Sequence, residues 1–226
     1  MCVIAIKPRS IQIRYKTVLD MYDANPHGAG FAVVFPQGTL ISKGYGDVND
    51  LWNDIKQLQD QRLVLHFRWA TQGLINSEMC HPFIIDSDIN ISTQIYAETD
   101  KPIIVHNGIL PRYGDKKISD TADFTTKVLS HHAGDIPTML KILNLTSSLF
   151  AVIHEGKIFK VGEFEQYEGL KVSNTNFTHT NWKYNNYDYE NELFNRQVGD
   201  NCDDRKYNYS LFPESAYRTE ENDDDK

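Results

Sequence analysis

Short apolar runs separated by tight turns recur from Cys2 to Ser173, and their order along the chain restricts the fold more than any other feature. Cys2 to Ile6 reads as a short buried strand bounded by Pro8. Gly28 to Phe35 and Thr39 to Tyr45 form a strand pair turned at Gly38, and Arg62 to Arg68 is a further apolar strand. The spacing of Ile13, Val18, Leu19 and Tyr22 predicts an amphipathic helix over Ile13 to Asp23, ended by Asn25-Pro26, and Asp47 is a suitable N-cap for a helix through Leu58. A strand over Ile103 to His106 follows, then helical segments Thr121 to Leu129 and Pro137 to Leu143. Strands return at Ser148 to His154, Lys157 to Val161 and Gly169 to Ser173, with Glu155-Gly156 as a hairpin turn. Strand pairs, a block of helices and strand pairs again do not alternate as a doubly wound parallel sheet requires. They suit an α+β fold of antiparallel sheets with helices packed outside.

Regular periodicity stops near Phe177. Residues 1–176 are therefore expected to form the folded domain, and 177–226 an Asn-, Tyr- and Asp-rich appendage with aromatic anchors. Its acidic end, Glu220 to Asp225, should stay solvated and mobile through self-repulsion. A net charge of −8 disfavours direct binding to nucleic acid. No apolar run approaches the roughly 20 residues of a membrane-spanning helix, and the apolar start lacks the preceding basic residues of a secretory signal. The chain is accordingly expected in the cytoplasm, with Cys2, Cys80 and Cys202 as thiols rather than disulfides.

Cys2 is the most informative position. Removal of Met1 before a small side chain leaves a thiol and a free α-amine on one residue. That amine titrates at about 7.7 to 8.0, so it can take the thiol proton near neutral pH. Along the chain there follow Asn25-Pro26-His27-Gly28-Ala29-Gly30, then His66-Phe67-Arg68-Trp69-Ala70-Thr71-Gln72-Gly73. His81-Pro82-Phe83, His106-Asn107-Gly108 and Ser119-Asp120-Thr121 complete the series. Each has a plain structural reading when taken alone. Cys2 would be a buried strand residue, Trp69 a packed strand end, Asn107-Gly108 a hairpin turn, and Arg68 with Asp120 a surface ion pair.

Together, over roughly Cys2 to Asn174, these elements resemble the class II glutamine amidotransferases, whose glutaminase domain carries an N-terminal cysteine. The resemblance implies the N-terminal-nucleophile (Ntn) hydrolase fold, a four-layer αββα sandwich with two antiparallel sheets. It implies Cys2 as nucleophile, with Asn107 and Gly108 donating to the oxyanion. Arg68 would hold the α-carboxylate of glutamine, a task for a planar two-pronged donor, and Asp120 the α-ammonium. Trp69 and Thr71 would belong to a loop closing over substrate, and His106 to the same pocket. Two positions depart from the family: His27 replaces an acidic residue, and Gln72 stands where histidine is common, which bears on loop closure and coupling to a partner.

The implied activity is glutamine hydrolysis to glutamate and ammonia through a Cys2 thioester, without a metal or organic cofactor. His131-His132 and Cys80-His81 are poor metal pairs, since adjacent residues rarely converge on one ion. Too little chain follows Asn174 for a synthetase domain, so a stand-alone glutaminase is expected, with ammonia released or passed to a separate synthetase. Two alternatives stay open: an Ntn hydrolase acting on another γ-glutamyl or amide substrate, and a catalytically silent binding or regulatory module.

Overall fold

The computed structural model of the protein describes residues 1–179; the acidic end expected to be mobile lies outside the described residues. In chain order the strands and helices are β1 (Val3–Lys7), α1 (Tyr15–Asp23), β2 (Ala29–Phe35), β3 (Gly38–Tyr45), α2 (Val48–Ile55), β4 (Leu63–Phe67), β5 (Phe83–Ile84), α3 (Ile89–Ser92) and β6 (Tyr96–Thr99). They continue with β7 (Ile103–Asn107), α4 (Asp120–Lys127), α5 (Ile136–Asn144), β8 (Leu149–His154), β9 (Lys157–Val161), β10 (Glu165–Tyr167) and β11 (Leu170–Val172). The fold is mixed α+β with two antiparallel sheets. A seven-stranded sheet runs β10-β11-β1-β4-β2-β3-β6, and a four-stranded sheet runs β5-β7-β8-β9.

Sequence periodicity anticipates most of these elements but not β5, α3, β6 or β10, which span two to four residues. Segments that short complete too little of a period to stand out, and tertiary pairing defines them. Helix α2 ends at Ile55, three residues before the expected Leu58, because the chain tightens into a turn in which Leu58 N–H donates to the Ile55 carbonyl at 3.0 Å. Its N-cap is the expected Asp47, whose side chain accepts from Asn49 N–H.

Alternating strand residues divide the core into three apolar clusters. Ile4, Ala32, Ile41 and Val64 of the large sheet pack with Ile103, Val105, Ala151 and Ile153 of the small sheet. The opposite face of the large sheet, with Val3, Phe31 and Leu65, packs on Val18 and Met21 of α1 and Leu51 of α2. The opposite face of the small sheet, with Ile104, Phe150 and Val152, packs on Phe124 of α4 and Met139 of α5. Phe177, the first residue of the expected appendage, is buried in the second cluster and meets Tyr167 edge to face, so the packed core reaches at least that far. Among the described residues no helix is long and apolar enough to cross a membrane.

Candidate active site

On the face of the large sheet that meets the small one, each central strand becomes polar toward the same end. Strand register sets Ile6, Val64, Ala32 and Ile41 in one row, and the next row reads Ile4, His66, Gly30 and Lys43. The antiparallel register of β1 and β4, in which Val3 faces Phe67, brings Cys2 beside Arg68 one step further on. In the small sheet, β7 carries the same alternation from Ile103 through Val105 to Asn107. His66 Nε2 lies 3.1 Å from the His106 carbonyl, which joins the polar ends of the two sheets.

Cys2 makes a reciprocal contact with Trp69. Trp69 N–H donates to the sulfur at 3.3 Å, and the thiol reaches the Trp69 carbonyl at 3.5 Å. Burial raises the thiol above its ordinary titration range, opposed by the Trp69 backbone hydrogen bond and by the positive charge of Arg68; Asp120 adds to the rise. Both charged groups expected to hold an amino acid therefore act on this sulfur. The thiol needs a base to ionise near neutral pH. Met1 is 73% exposed, so the bond preceding Cys2 lies at the surface.

Arg68 is only 3% exposed. Its Nη1 donates to the Leu74 carbonyl at 2.8 Å and its Nη2 to the Gln72 carbonyl at 3.0 Å, drawing the following loop over the guanidinium. The loop is held elsewhere too. Ala70 N–H donates to His27 Nδ1 at 2.9 Å, the Trp69 ring packs 4.9 Å from that imidazole, and Gly73 N–H donates to the Asp115 carbonyl at 3.0 Å. Gly73 has φ +78°, and a Cβ there would lie 2.6 Å from Ser119 N, so the loop approaches α4 only because this residue is glycine. Thr71 is exposed on the loop surface. His27 thus serves the loop through its ring nitrogen, and Gln72 through its backbone carbonyl.

Asn107 ends β7, and its Nδ2 lies 2.9 Å from Ser173 Oγ while its Oδ1 is buried without a protein partner. Gly108 has φ +152°, and a Cβ on it would fall 2.2 Å from Ser148 Oγ and 3.0 Å from His106 Nε2, so no side chain fits. The His106 ring is buried behind this dipeptide, stacked on Phe150 at 4.6 Å. Its Nδ1 lies 2.8 Å from Thr121 Oγ1, which in turn donates to Asp120 Oδ1 at 3.2 Å. Asp120, the first residue of α4, also accepts from Leu110 N–H at 2.9 Å and Thr121 N–H at 2.7 Å. His106 and Asp120 thereby tie the segment after β7 to the start of α4.

Burial keeps the surrounding imidazoles neutral. His66 is lowered to about 3 and His106 to about 4, His81 falls well below its ordinary value, and desolvation brings Lys43 to about 7. The Lys43 ammonium sits 4.1 Å from the centre of the Phe83 ring, a favourable site for a cation. Among the described residues no set of His, Cys, Asp and Glu converges as metal ligands.

Sequence reasoning missed Ser173 and Asn174. Asn174 Nδ2 donates to the Cys2 carbonyl at 2.8 Å, and Ser173 Oγ accepts Ile4 N–H at 2.9 Å. Both follow a three-residue strand, and no motif or spacing marks them. Compared with known proteins, the chain matches no family model and no curated protein.

Proposed function

We propose that this chain is a glutamine-hydrolysing Ntn amidohydrolase of the class II glutamine amidotransferase type, acting through Cys2 after loss of Met1. The observation that carries the proposal is the setting of the Cys2 sulfur. It lies within the fields of Arg68 and Asp120, beside the Arg68–Leu74 loop, and its strand is tied through Ser173 to Asn107. Two charges of opposite sign beside a thiol suit a free amino acid end, whose carboxylate and ammonium need both. The order helices, sheet, sheet, helices across the three apolar clusters fits the four-layer αββα arrangement of Ntn hydrolases.

In this reaction the Cys2 sulfur attacks the side-chain carbonyl carbon of glutamine while the α-amine, freed from Met1, takes the thiol proton. The oxygen becomes negative in the tetrahedral intermediate, where the Asn107 side-chain amide and the Gly108 N–H donate to it. The carbon–nitrogen bond breaks and the α-ammonium returns a proton to the leaving nitrogen, releasing ammonia and a glutamyl thioester. Water, deprotonated by the same amine, attacks the thioester. Glutamate leaves and the thiol is restored. Trp69 and Thr71, on the loop that Arg68 holds, close over the substrate. Ammonia passes to a separate synthetase or is released, and a cytoplasmic location accords with this chemistry.

The test is glutamate release from glutamine by mature protein whose intact mass confirms loss of Met1. Wild type is expected to turn over, and Cys2→Ala to fall to background with an unchanged melting temperature. Equal rates from both proteins would remove Cys2 from the reaction.

A further inference from the structure

A single hydroxyl links β1, the strand that follows Cys2, to Asn107 at the end of β7 in the facing sheet. Beyond β11 the backbone of Ser173 continues the pairing with β1, its N–H donating to the Ile4 carbonyl at 2.9 Å. The return bond of the ladder is made by the side chain, since Ile4 N–H donates to Ser173 Oγ at 2.9 Å. The same oxygen lies 2.9 Å from the Asn107 carboxamide. Ser173 is 7% exposed and Asn107 3%, so water has little access to either. Next along the chain, Asn174 Nδ2 fixes the Cys2 carbonyl. Two adjacent residues thus hold both reacting elements of the proposed site.

The hydrogen-bond inventory allows the carboxamide two orientations, each leaving one of its atoms without a protein partner. A serine hydroxyl has one proton to give and two lone pairs. With Asn107 Nδ2 donating to it, the hydroxyl accepts twice, and Asn107 Oδ1 is a buried acceptor without a protein partner. As the proposed oxyanion donor, the carboxamide must present Nδ2 and not Oδ1 to the developing charge. With the carboxamide turned over, Ser173 Oγ accepts from Ile4 N–H and gives its own proton to Asn107 Oδ1. That arrangement satisfies the oxygen and frees the two Nδ2 protons. We propose that Ser173 is a positioning residue: it fixes the Asn107 carboxamide with its N–H donors toward the Cys2 thiol and its oxygen toward Ser173. The proposal rests on the glutaminase reading for its catalytic consequence. Its structural content stands apart from that reading.

The experiment compares wild type, Ser173→Ala and Ser173→Thr, the last of which keeps the hydroxyl. Three readouts are taken: glutamine turnover, alkylation of Cys2 by iodoacetamide, and the side-chain amide resonances of Asn107, assigned by their loss in Asn107→Ala. Alkylation at sulfur forms no oxyanion, so it reports on the thiol alone. In Ser173→Ala, kcat is expected to fall about 10- to 100-fold, less than or comparable to the ~10²–10³ lost with a whole oxyanion donor. KM and the alkylation rate should change less than about threefold, and Ser173→Thr should recover most of kcat. An unchanged kcat in Ser173→Ala beside an active wild type overturns the proposal, as does a parallel loss of turnover and alkylation. An inactive wild type sinks the glutaminase reading instead, and the Asn107 resonances then decide. A shift or broadening confined to Ser173→Ala supports the positioning role, and identical resonances in all three proteins overturn it. Should Ser173→Ala fail to fold, loss of the same resonance position in Ser173→Cys, whose longer and weaker thiol donor alters the bond, replaces it, and an unmoved resonance counts against the proposal.

Discussion

The two ends of the layer between the sheets are built from the same strands and the same alternation, yet they differ in almost every physical respect. At one end Ile6, Val34, Val64, Ile103 and Ile153 form a buried apolar contact. Two to four residues along the same strand faces come Cys2, Lys43, His66, Arg68 and Asn107. There His66 Nδ1 is buried without a protein partner, as are both ring nitrogens of His81 in the adjoining loop. An unsatisfied buried polar atom costs roughly 1–3 kcal/mol, so the polar end draws on stability that the apolar end supplies. Sheet geometry makes this division simple to encode. Continuing the inward-facing positions of a strand past the core delivers side chains to a common place, and changing their type changes what that place does.

Substitutions at the two ends should therefore separate activity from stability. At the polar end, Asn107→Ala is expected to reduce glutamine turnover by ~10²–10³, the usual cost of one oxyanion donor, while the melting temperature moves little. A loss of turnover only in step with unfolding would contradict the division. At the apolar end, Ile153→Ala, at a position with no exposed surface, should cost about 2–5 kcal/mol in denaturant unfolding. It should leave the kcat and KM of the folded fraction unchanged, and an altered KM there would show that the two ends are coupled.

A further expected effect is a pH dependence of stability that belongs to the histidines at and beside the polar end. Folded, His66 and His106 titrate at about 3 and about 4, against about 6.5 in an unfolded chain. Below that value the unfolded state binds more protons, so stability should be full above about pH 6.5 and fall on acidification toward pH 4. Each buried histidine contributes a slope of up to ~1.4 kcal/mol per pH unit. Melting temperatures taken from pH 7.5 to 4.5 test this, and His66→Gln should flatten the curve. A profile that is level over that range would mean the imidazoles are not held neutral by burial.

Much of the scaffold is legible in the sequence because strands buried on both faces read as short apolar runs bounded by turns, and helices that bury one face repeat at 3.6 residues. β1 to β4, β7 to β9 and the longer helices show these signals, whereas β5, β6 and β10 owe their existence to pairing partners. The site divides in the same way. Cys2, Arg68, Asn107 and Asp120 stand in recognisable local strings. Ser173 and Asn174 act on residues 66, 169 and 172 positions away, a relation that no local pattern carries. His27 looks like a departure from a motif until its ring nitrogen is seen to hold Ala70 N–H. Contacts between sequence-distant residues follow from sheet order, and only the fold supplies that.

The central claim concerns the sulfur of Cys2 at a free amino terminus. It is tested most directly by treating the purified protein with a diazo ketone analogue of glutamine and mapping the adduct by peptide mass. One adduct on an N-terminal peptide that begins at Cys2, suppressed by excess glutamine and absent from Arg68→Ala, is the predicted result. Labelling at Cys80 or Cys202 instead, or an unlabelled terminal peptide still carrying Met1, would contradict it.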